Sequence, residues 1–132
     1  MRTRLITALL LIGVGCSGDD PAFPIVPSFV AGYVKYDSNE EAPVPHVKVY
    51  LVEYGEGELY TLVPTGRSYS TCTNARGYFS FTFEANVERD YMVGTSPSYY
   101  FGPSESVSPG TTKYVTLWIN SADTWDTPTP CD

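Results

Sequence analysis

The sequence is poor in cations, in histidine and in cysteine. Of its 132 residues only 8 are Lys or Arg, against 15 acidic residues, and the net charge is −7. Binding to a nucleic-acid backbone needs clustered cations, so this balance argues against nucleic acid as a partner. One histidine, His46, and three cysteines offer few ligands for a transition metal. We therefore expect neither a metal nor a cofactor.

The sequence also lacks a hydrophobic run long enough to cross a bilayer as a helix, which needs about 20 residues. Its main apolar stretch extends only from Leu5 to Val14, behind the basic residues Arg2 and Arg4. A short apolar stretch after a basic start is typical of a secretory signal. We predict that residues 1–15 are a signal peptide and that the protein is exported.

Cys16 follows this stretch directly. The arrangement resembles a bacterial lipoprotein signal, although Gly13 stands where that pattern commonly has Leu. The resemblance implies that Cys16 is lipidated, becomes the mature N-terminus and anchors the protein to a membrane, at the outer membrane or the cell surface. Loss of the signal would change the net charge from −7 to −9, because two arginines and no acidic residue leave. Residues 16–27, rich in proline, form an extended tether in this interpretation.

The two other cysteines are Cys72 and Cys131. Exported proteins meet an oxidising compartment, in which spare cysteines often pair. We expect a disulfide that ties the C-terminal tail, residues 121–132, to a central strand. Two free thiols are the alternative, because the sequence does not give the distance between them.

Residues that favour strands and turns are abundant. The chain has 11 Tyr and 6 Phe, and 11 each of Gly and Pro. From Ser28 onward apolar side chains recur at every second position, which indicates strands with one buried face. The predicted inward set is Val30, Val34, Val47, Val49, Leu51, Phe79, Phe81, Phe83, Tyr91, Val93, Val115, Leu117 and Ile119.

About seven short strands fit between residues 28 and 120, with turns at 37–40, 64–66 and 74–77 and a long loop over 94–110. This pattern predicts an all-β fold, a seven-stranded antiparallel β-sandwich. The sandwich would form one domain over 28–120, preceded by the signal peptide and the tether.

Four short patterns within this domain resemble a known family. In chain order they are Gly32 and Val34; Pro43, Val47, Val49 and Leu51; Thr73, Gly77, Phe79 and Phe81; and Tyr91 and Val93. Their order and spacing resemble the carboxypeptidase regulatory-like domains, which are related to Cna B-type and transthyretin-like modules. Asn74 departs from the Asp that is common in that family. The resemblance implies a prealbumin-like or Ig-like sandwich, and such domains are generally non-catalytic supports, spacers or adhesion modules.

Catalysis is not expected. A Ser–His–acid site would need His46. This residue lies between Pro45 and Val47 at the start of a predicted strand, at a position whose side chain should point outward. Glu53, Glu56 and Glu58 share one predicted hairpin but lack the regular spacing of a calcium site. We expect these three acids to lie in a solvated turn.

Aromatic residues on predicted loops form the candidate ligand or partner surface. Tyr99, Tyr100 and Phe101 lie in the 94–110 loop, and Trp125 lies in the tail. Such side chains can stack on sugars or hold a protein partner, or they can pack on the rim of the sandwich. The sequence thus predicts a non-catalytic cell-envelope lipoprotein module with a structural or protein-interaction role. The alternative is a carbohydrate-binding surface module that uses these loop aromatics.

Overall fold

Seven β-strands make up most of the computed structural model, which describes residues 24–37, 41–98, 102–122 and 127–132. The strands are β1 (Ile25–Tyr36), β2 (Lys48–Glu56), β3 (Leu62–Cys72), β4 (Tyr78–Asn86), β5 (Asp90–Gly94), β6 (Ser104–Val107) and β7 (Thr112–Ile119). One turn of 3-10 helix, Glu58–Tyr60, connects β2 to β3, and these ranges contain no α-helix. The fold is therefore all-β, as predicted. The predicted signal peptide lies outside the described residues.

Two sheets pack around one core. One has three strands in the order β4-β1-β7, and the other has four in the order β3-β2-β5-β6. The antiparallel prediction is wrong for one pair, because β1 and β7 run parallel, with Phe29 opposite Thr112 and Tyr36 opposite Ile119. A period of two identifies the buried face of a strand but not the direction of its neighbour.

All of the predicted inward residues belong to the apolar core. Strand β4 shows the cause most clearly: Phe79, Phe81 and Phe83 are 2 to 7% exposed, and the residues between them are exposed. Since successive side chains of a strand point to opposite faces, this alternation places one face of β4 between the sheets. The structure adds Val44, Ala85 and Val107 to the core.

The turn at residues 74–77 forms as predicted. The Asn74 side-chain oxygen accepts hydrogen bonds from the backbone N–H groups of Arg76 and Tyr78, at 2.8 and 3.1 Å. Gly77 has a φ of 76°, and a Cβ there would lie 2.7 Å from the carbonyl oxygen of Val34. Glycine is therefore required here for two reasons, the left-handed backbone and the close approach of another strand.

The predicted turn at 64–66 is wrong. Strand β3 continues through these residues, and the chain reverses earlier, at the 3-10 turn. Because β3 is an edge strand, Pro64 can join it although it has no N–H to donate. The pairing register shifts between Val52 and Tyr54, and Gly66, with a φ of 96°, lies in the resulting bulge.

Two boundaries also differ from the prediction. Residues 104–107 of the predicted loop form β6, which pairs with β5 and buries Val107 opposite Tyr91. Only one residue of this four-residue strand is apolar, so it shows no alternation. Strand β1 begins at Ile25, three residues before the predicted start, since it pairs with β4 as far as Asn86.

Candidate functional site

The outward side chains of the three-stranded sheet form one continuous surface, which we call the outer face. Residues in register across a sheet share a face, so the three strands together define its members. They are Phe29, Ala31, Tyr33 and Lys35 of β1; Tyr78, Ser80, Thr82 and Glu84 of β4; and Thr112, Tyr114, Thr116 and Trp118 of β7.

This face is rich in aromatic and hydroxyl groups. Five of its twelve residues are aromatic, four are Ser or Thr, and none is Val, Leu, Ile or Met. Tyr114 is 72% exposed, Trp118 42% and Tyr33 41%. Large exposed apolar surfaces in a soluble domain mark interaction sites more often than single exposed residues do. The outer face is therefore the candidate functional site.

Contacts between the rings hold them in place. The Tyr33 and Tyr78 rings meet edge to face with centroids 5.4 Å apart, and Phe29 and Tyr114 do so at 6.2 Å. The Lys35 ammonium lies 5.5 Å from the centroid of the Tyr33 ring, in cation–π range. Rings already fixed in this way lose less side-chain entropy when a ligand or partner binds.

An open pocket of about 210 Å³ adjoins one end of the outer face. Phe29, Thr82 and Thr112 of the face line it, together with Pro27, Ser28, Gly110 and Thr111. The Ser28 hydroxyl accepts a hydrogen bond of 2.7 Å from the N–H of Gly110, which joins the start of β1 to the turn before β7. The volume is below the roughly 300–1,000 Å³ of most small-molecule sites, so it suits one ring better than a whole cofactor.

Glu53 is buried, so the expectation that it lies in a solvated turn is wrong. It is 7% exposed, and its carboxylate accepts hydrogen bonds from the hydroxyls of Tyr91 at 2.7 Å and Thr65 at 2.6 Å. The sequence did contain a signal of this burial, because Glu53 lies two positions after Leu51 in β2 and so shares its inward face. Two donors to the carboxylate offset the cost of burying it. Glu56 is exposed, as expected.

Burial, with a further contribution from the Glu53 carboxylate, raises the pKa of Tyr91 to about 12. The Tyr91 oxygen also accepts a 2.8 Å hydrogen bond from the N–H of Asn86, which lowers the pKa and opposes these effects. The phenol is thus protonated at neutral pH and serves as a structural donor inside the sandwich.

His46 lies at a bend before β2, and its side chain is exposed, as its parity predicted. Its backbone has a φ of 58°, donates to the Thr73 carbonyl at 3.1 Å and accepts from the N–H of Cys131 at 2.8 Å. Within residues 24–37, 41–98, 102–122 and 127–132, no group of three His, Cys, Asp or Glu side chains is placed to hold a metal ion. The same part of the chain contains no helix long and apolar enough to cross a membrane.

Cys72 and Cys131 form a disulfide, with Cα atoms 6.3 Å apart. Cys72 is the last residue of β3, an edge strand, so the expected attachment to a central strand is wrong. The tail lies beside the entrance to β2, where the N–H of Lys48 donates to the Thr129 carbonyl at 2.8 Å. The bridge therefore closes the end of the sandwich where β2 begins.

The loop aromatics Tyr99, Tyr100 and Phe101, the tail residue Trp125 and the lipidation site Cys16 all lie outside the described residues. Their predicted roles stay predictions. The sequence predicts the candidate surface on loops because it does not give the strand registers, so the outward aromatic residues of the strands cannot be recognised as one group. The registers of β4 and β7 against β1 are what bring those residues together.

The fold and this face define a small β-sandwich with an exposed aromatic surface on one sheet. No protein-family model matches the chain, and no curated protein matches it. Among solved structures it is similar to a DUF3823 family protein from Parabacteroides merdae ATCC 43184, with 19% sequence identity and a TM-score of 0.42. The match covers 80% of this chain and 47% of that one, so this chain spans about half the length of its neighbour. The description as a sandwich rests on the sheets of the chain itself.

Proposed function

We propose that this protein is a non-catalytic, lipid-anchored module of the cell envelope, and that the outer face is its contact surface. The observation that carries the proposal is the exposure of Tyr33, Tyr114 and Trp118 on one face of a sheet whose other face forms the core. Aromatic residues supply much of the binding energy at interfaces. A sandwich gains no stability from leaving such rings in water, so their arrangement favours binding.

A non-catalytic role is supported by how the ionisable residues are used. His46 is exposed at a bend, and the buried Glu53 carboxylate is occupied by two hydroxyl donors of the sandwich itself. Neither residue lies on the outer face or lines its pocket. The module is thus best suited to a structural or binding role.

The family proposal is a carboxypeptidase regulatory-like sandwich. It is supported by where the family-like residues fall: Gly77 at the turn into β4, Gly32 at the close approach of β1 to β7, and Thr73 buried between segments. These are positions where backbone geometry or burial restricts the residue type, and this explains why such a pattern would recur in related folds.

Export and lipidation rest on the sequence pattern around Cys16. Eight residues lie between Cys16 and Ile25, where β1 begins, so this stretch reaches at most about 30 Å. The lipid anchor is tested with a Cys16→Ser variant of the full chain, expressed in the organism that naturally produces the protein. We expect wild type in the membrane fraction and the variant released from it. Unchanged membrane association of the variant would show that the anchor proposal is wrong.

The contact surface is tested by site-specific photo-cross-linking in the anchored full chain. A photoreactive phenylalanine analogue replaces Tyr114 or Trp118, and a matched control replaces Ser70, an exposed residue of β3 in the other sheet. We expect adducts from the two outer-face positions and few from position 70. Equal labelling at all three positions, or no adduct from the outer face, would contradict the proposal.

A further inference from the structure

We propose that the outer face binds a neutral polysaccharide whose chain lies along β1. This inference rests on the proposed function, because it names the occupant of that contact surface. It differs from the carbohydrate-binding alternative of the sequence, which used the loop aromatics Tyr99, Tyr100 and Phe101.

The chemistry of the face is complementary to a sugar chain. A pyranose ring has an apolar C–H surface surrounded by hydroxyl groups. Aromatic rings offer a surface for the C–H groups, and the hydroxyls of residues such as Ser80, Thr82 and Thr116 can exchange hydrogen bonds with those of the sugar. Protein interfaces, by contrast, are enriched in Met and Arg as well as aromatic residues, and the outer face contains neither.

The rings are distributed along the length of the sheet. The register places Phe29 in one cross-strand row, Tyr114 in the next, Tyr33 with Tyr78 in the third, and Trp118 in the fourth. Each row thus has an aromatic ring. Since two residues of a strand rise about 6.7 Å, the four rows span about 20 Å, while three strands are only about 10 Å across. A strip of this shape fits several sugar rings in line.

The charge of the face favours a neutral ligand. Lys35 and Glu84 are the charged residues among its twelve, they have opposite sign, and they lie at opposite ends of the strip. The chain as a whole has a net charge of −7, so an anionic polymer would be repelled. A neutral polysaccharide meets no such repulsion.

The pocket of about 210 Å³ lies at the Phe29 end of this strip. Its lining combines an aromatic ring with Ser28, Thr82, Thr111 and Thr112. The hydroxyls of Ser28 and Thr111 already donate to backbone carbonyls of the chain itself. A single sugar ring at the end of a bound segment, or a substituent on the chain, would therefore find an apolar contact at Phe29 and hydroxyl partners at Thr82 and Thr112. The pocket would therefore add to the affinity for one end of the bound segment.

The test is a binding panel with the full-length protein in detergent. The probes are soluble neutral polysaccharides (glucans, mannans, xylans, galactans) and two anionic ones, polygalacturonate and heparin, in affinity electrophoresis. Tyr114→Ala and Trp118→Ala remove exposed rings of the face, and Tyr50→Ala, on the other sheet, is the aromatic control. Thermal unfolding of each variant shows that it is folded.

We expect at least one neutral polysaccharide to bind the protein and retard its migration. This binding should be insensitive to added salt because no ion pairs are involved. Tyr114→Ala and Trp118→Ala should each weaken it at least tenfold and Tyr50→Ala should not, and longer oligosaccharides should compete better than short ones. Binding only to anionic polymers, no neutral binding, or neutral binding lost in Tyr99→Ala/Tyr100→Ala but kept in Tyr114→Ala would overturn the inference.

Failure of this inference is distinguishable from failure of the proposed function. If position 114 cross-links to a protein while no polysaccharide binds, the contact surface stands and its occupant is a protein. If neither cross-links nor polysaccharide binding is found at the outer face, both proposals fail.

Discussion

At the scale of single residues, two sets of buried polar groups add specific hydrogen bonds between segments that the apolar core already joins. Glu53 and Tyr91 link β2 to β5 through one hydrogen bond inside the sandwich. Thr73, 2% exposed, donates its hydroxyl to the Val44 carbonyl at 2.8 Å and accepts from the N–H of Val47 at 3.0 Å. Buried polar groups that are fully paired favour one packing over others, because any rearrangement leaves them unpaired.

Replacement of Thr73 by valine should destabilise the protein by about 2–3 kcal/mol. Valine has nearly the same shape but leaves one buried carbonyl and one buried N–H without this partner. Urea denaturation of wild type and Thr73→Val would measure the loss. Thr73→Ser, which retains the hydroxyl, is the control and should lose less. A Thr73→Val protein as stable as wild type would show that the hydroxyl makes no net contribution to the free energy of unfolding.

The raised pKa of Tyr91 predicts a specific loss of stability in alkali. The unfolded chain loses this proton near pH 10, whereas the folded chain keeps it to about pH 12. Stability from this group is therefore complete below pH 10 and is lost between pH 10 and 12, by up to about 2–3 kcal/mol. The free energy of unfolding, measured from pH 9 to 11.5, should fall more steeply in wild type than in Tyr91→Phe. Parallel curves would be inconsistent with the shift.

At the scale of elements, β1 holds the three-stranded sheet together because it pairs with β4 on one side and β7 on the other. Its centre passes close to β7: a Cβ at Gly32 would lie 1.8 Å from the carbonyl oxygen of Val115. The obstructing atom belongs to the backbone, so no side-chain movement can relieve the contact. The outer face depends on this pairing, since Tyr114 and Trp118 lie on β7.

A Gly32→Ala substitution should therefore cost about 3 kcal/mol, the upper end of the usual cost of overpacking, and should weaken the pairing of β1 with β7. Amide hydrogen exchange would show faster exchange in β7 than in β3. Gly55→Ala is the matched control, because its nearest neighbour is a side-chain methyl of Thr65 at 3.3 Å. Equal losses in the two variants would count against the close approach as the cause.

At the scale of the whole molecule, the C-terminal tail closes one end of the sandwich. The disulfide joins residues 59 apart in sequence, and the Val47–Pro130 bridge and the backbone bonds at His46 and Lys48 align the tail with the entrance to β2. A small domain has a limited core, so a cross-link over so long a segment contributes a large share of its stability.

Loss of this bridge should lower the free energy of unfolding by about 4 kcal/mol, the chain-entropy value for a closed loop of this length. Thermal or urea unfolding of a Cys72→Ala/Cys131→Ala variant would measure it. A reducing agent should destabilise wild type to a similar extent and leave the double variant unchanged. Equal stability of reduced and oxidised wild type would mean that the bridge makes no net contribution.

Most of the core was predictable because burial in a sandwich follows local alternation. The phenylalanines of β4 and the turn at Gly77 needed only a period of two and a residue tolerant of positive φ. Strand β6 was not predictable, since its four residues include one apolar side chain. Pro64 wrongly indicated a turn, because a proline would interrupt a central strand but is tolerated in an edge strand such as β3. Which strand lies at the edge depends on the order of the strands in the sheet, and that order is not a local property of the sequence.

By itself, the sequence determined the fold class, the inward set and the two cysteines available to pair, because these depend on residue type and spacing along the chain. Only the tertiary structure decided that β7 returns parallel to β1, that Glu53 lies inside the sandwich with hydroxyl partners, and that the disulfide ends on an edge strand. The outer face belongs to this second group. Its rings come from three strands separated by up to 89 positions, Phe29 to Trp118, and only hydrogen-bonded registers place them side by side.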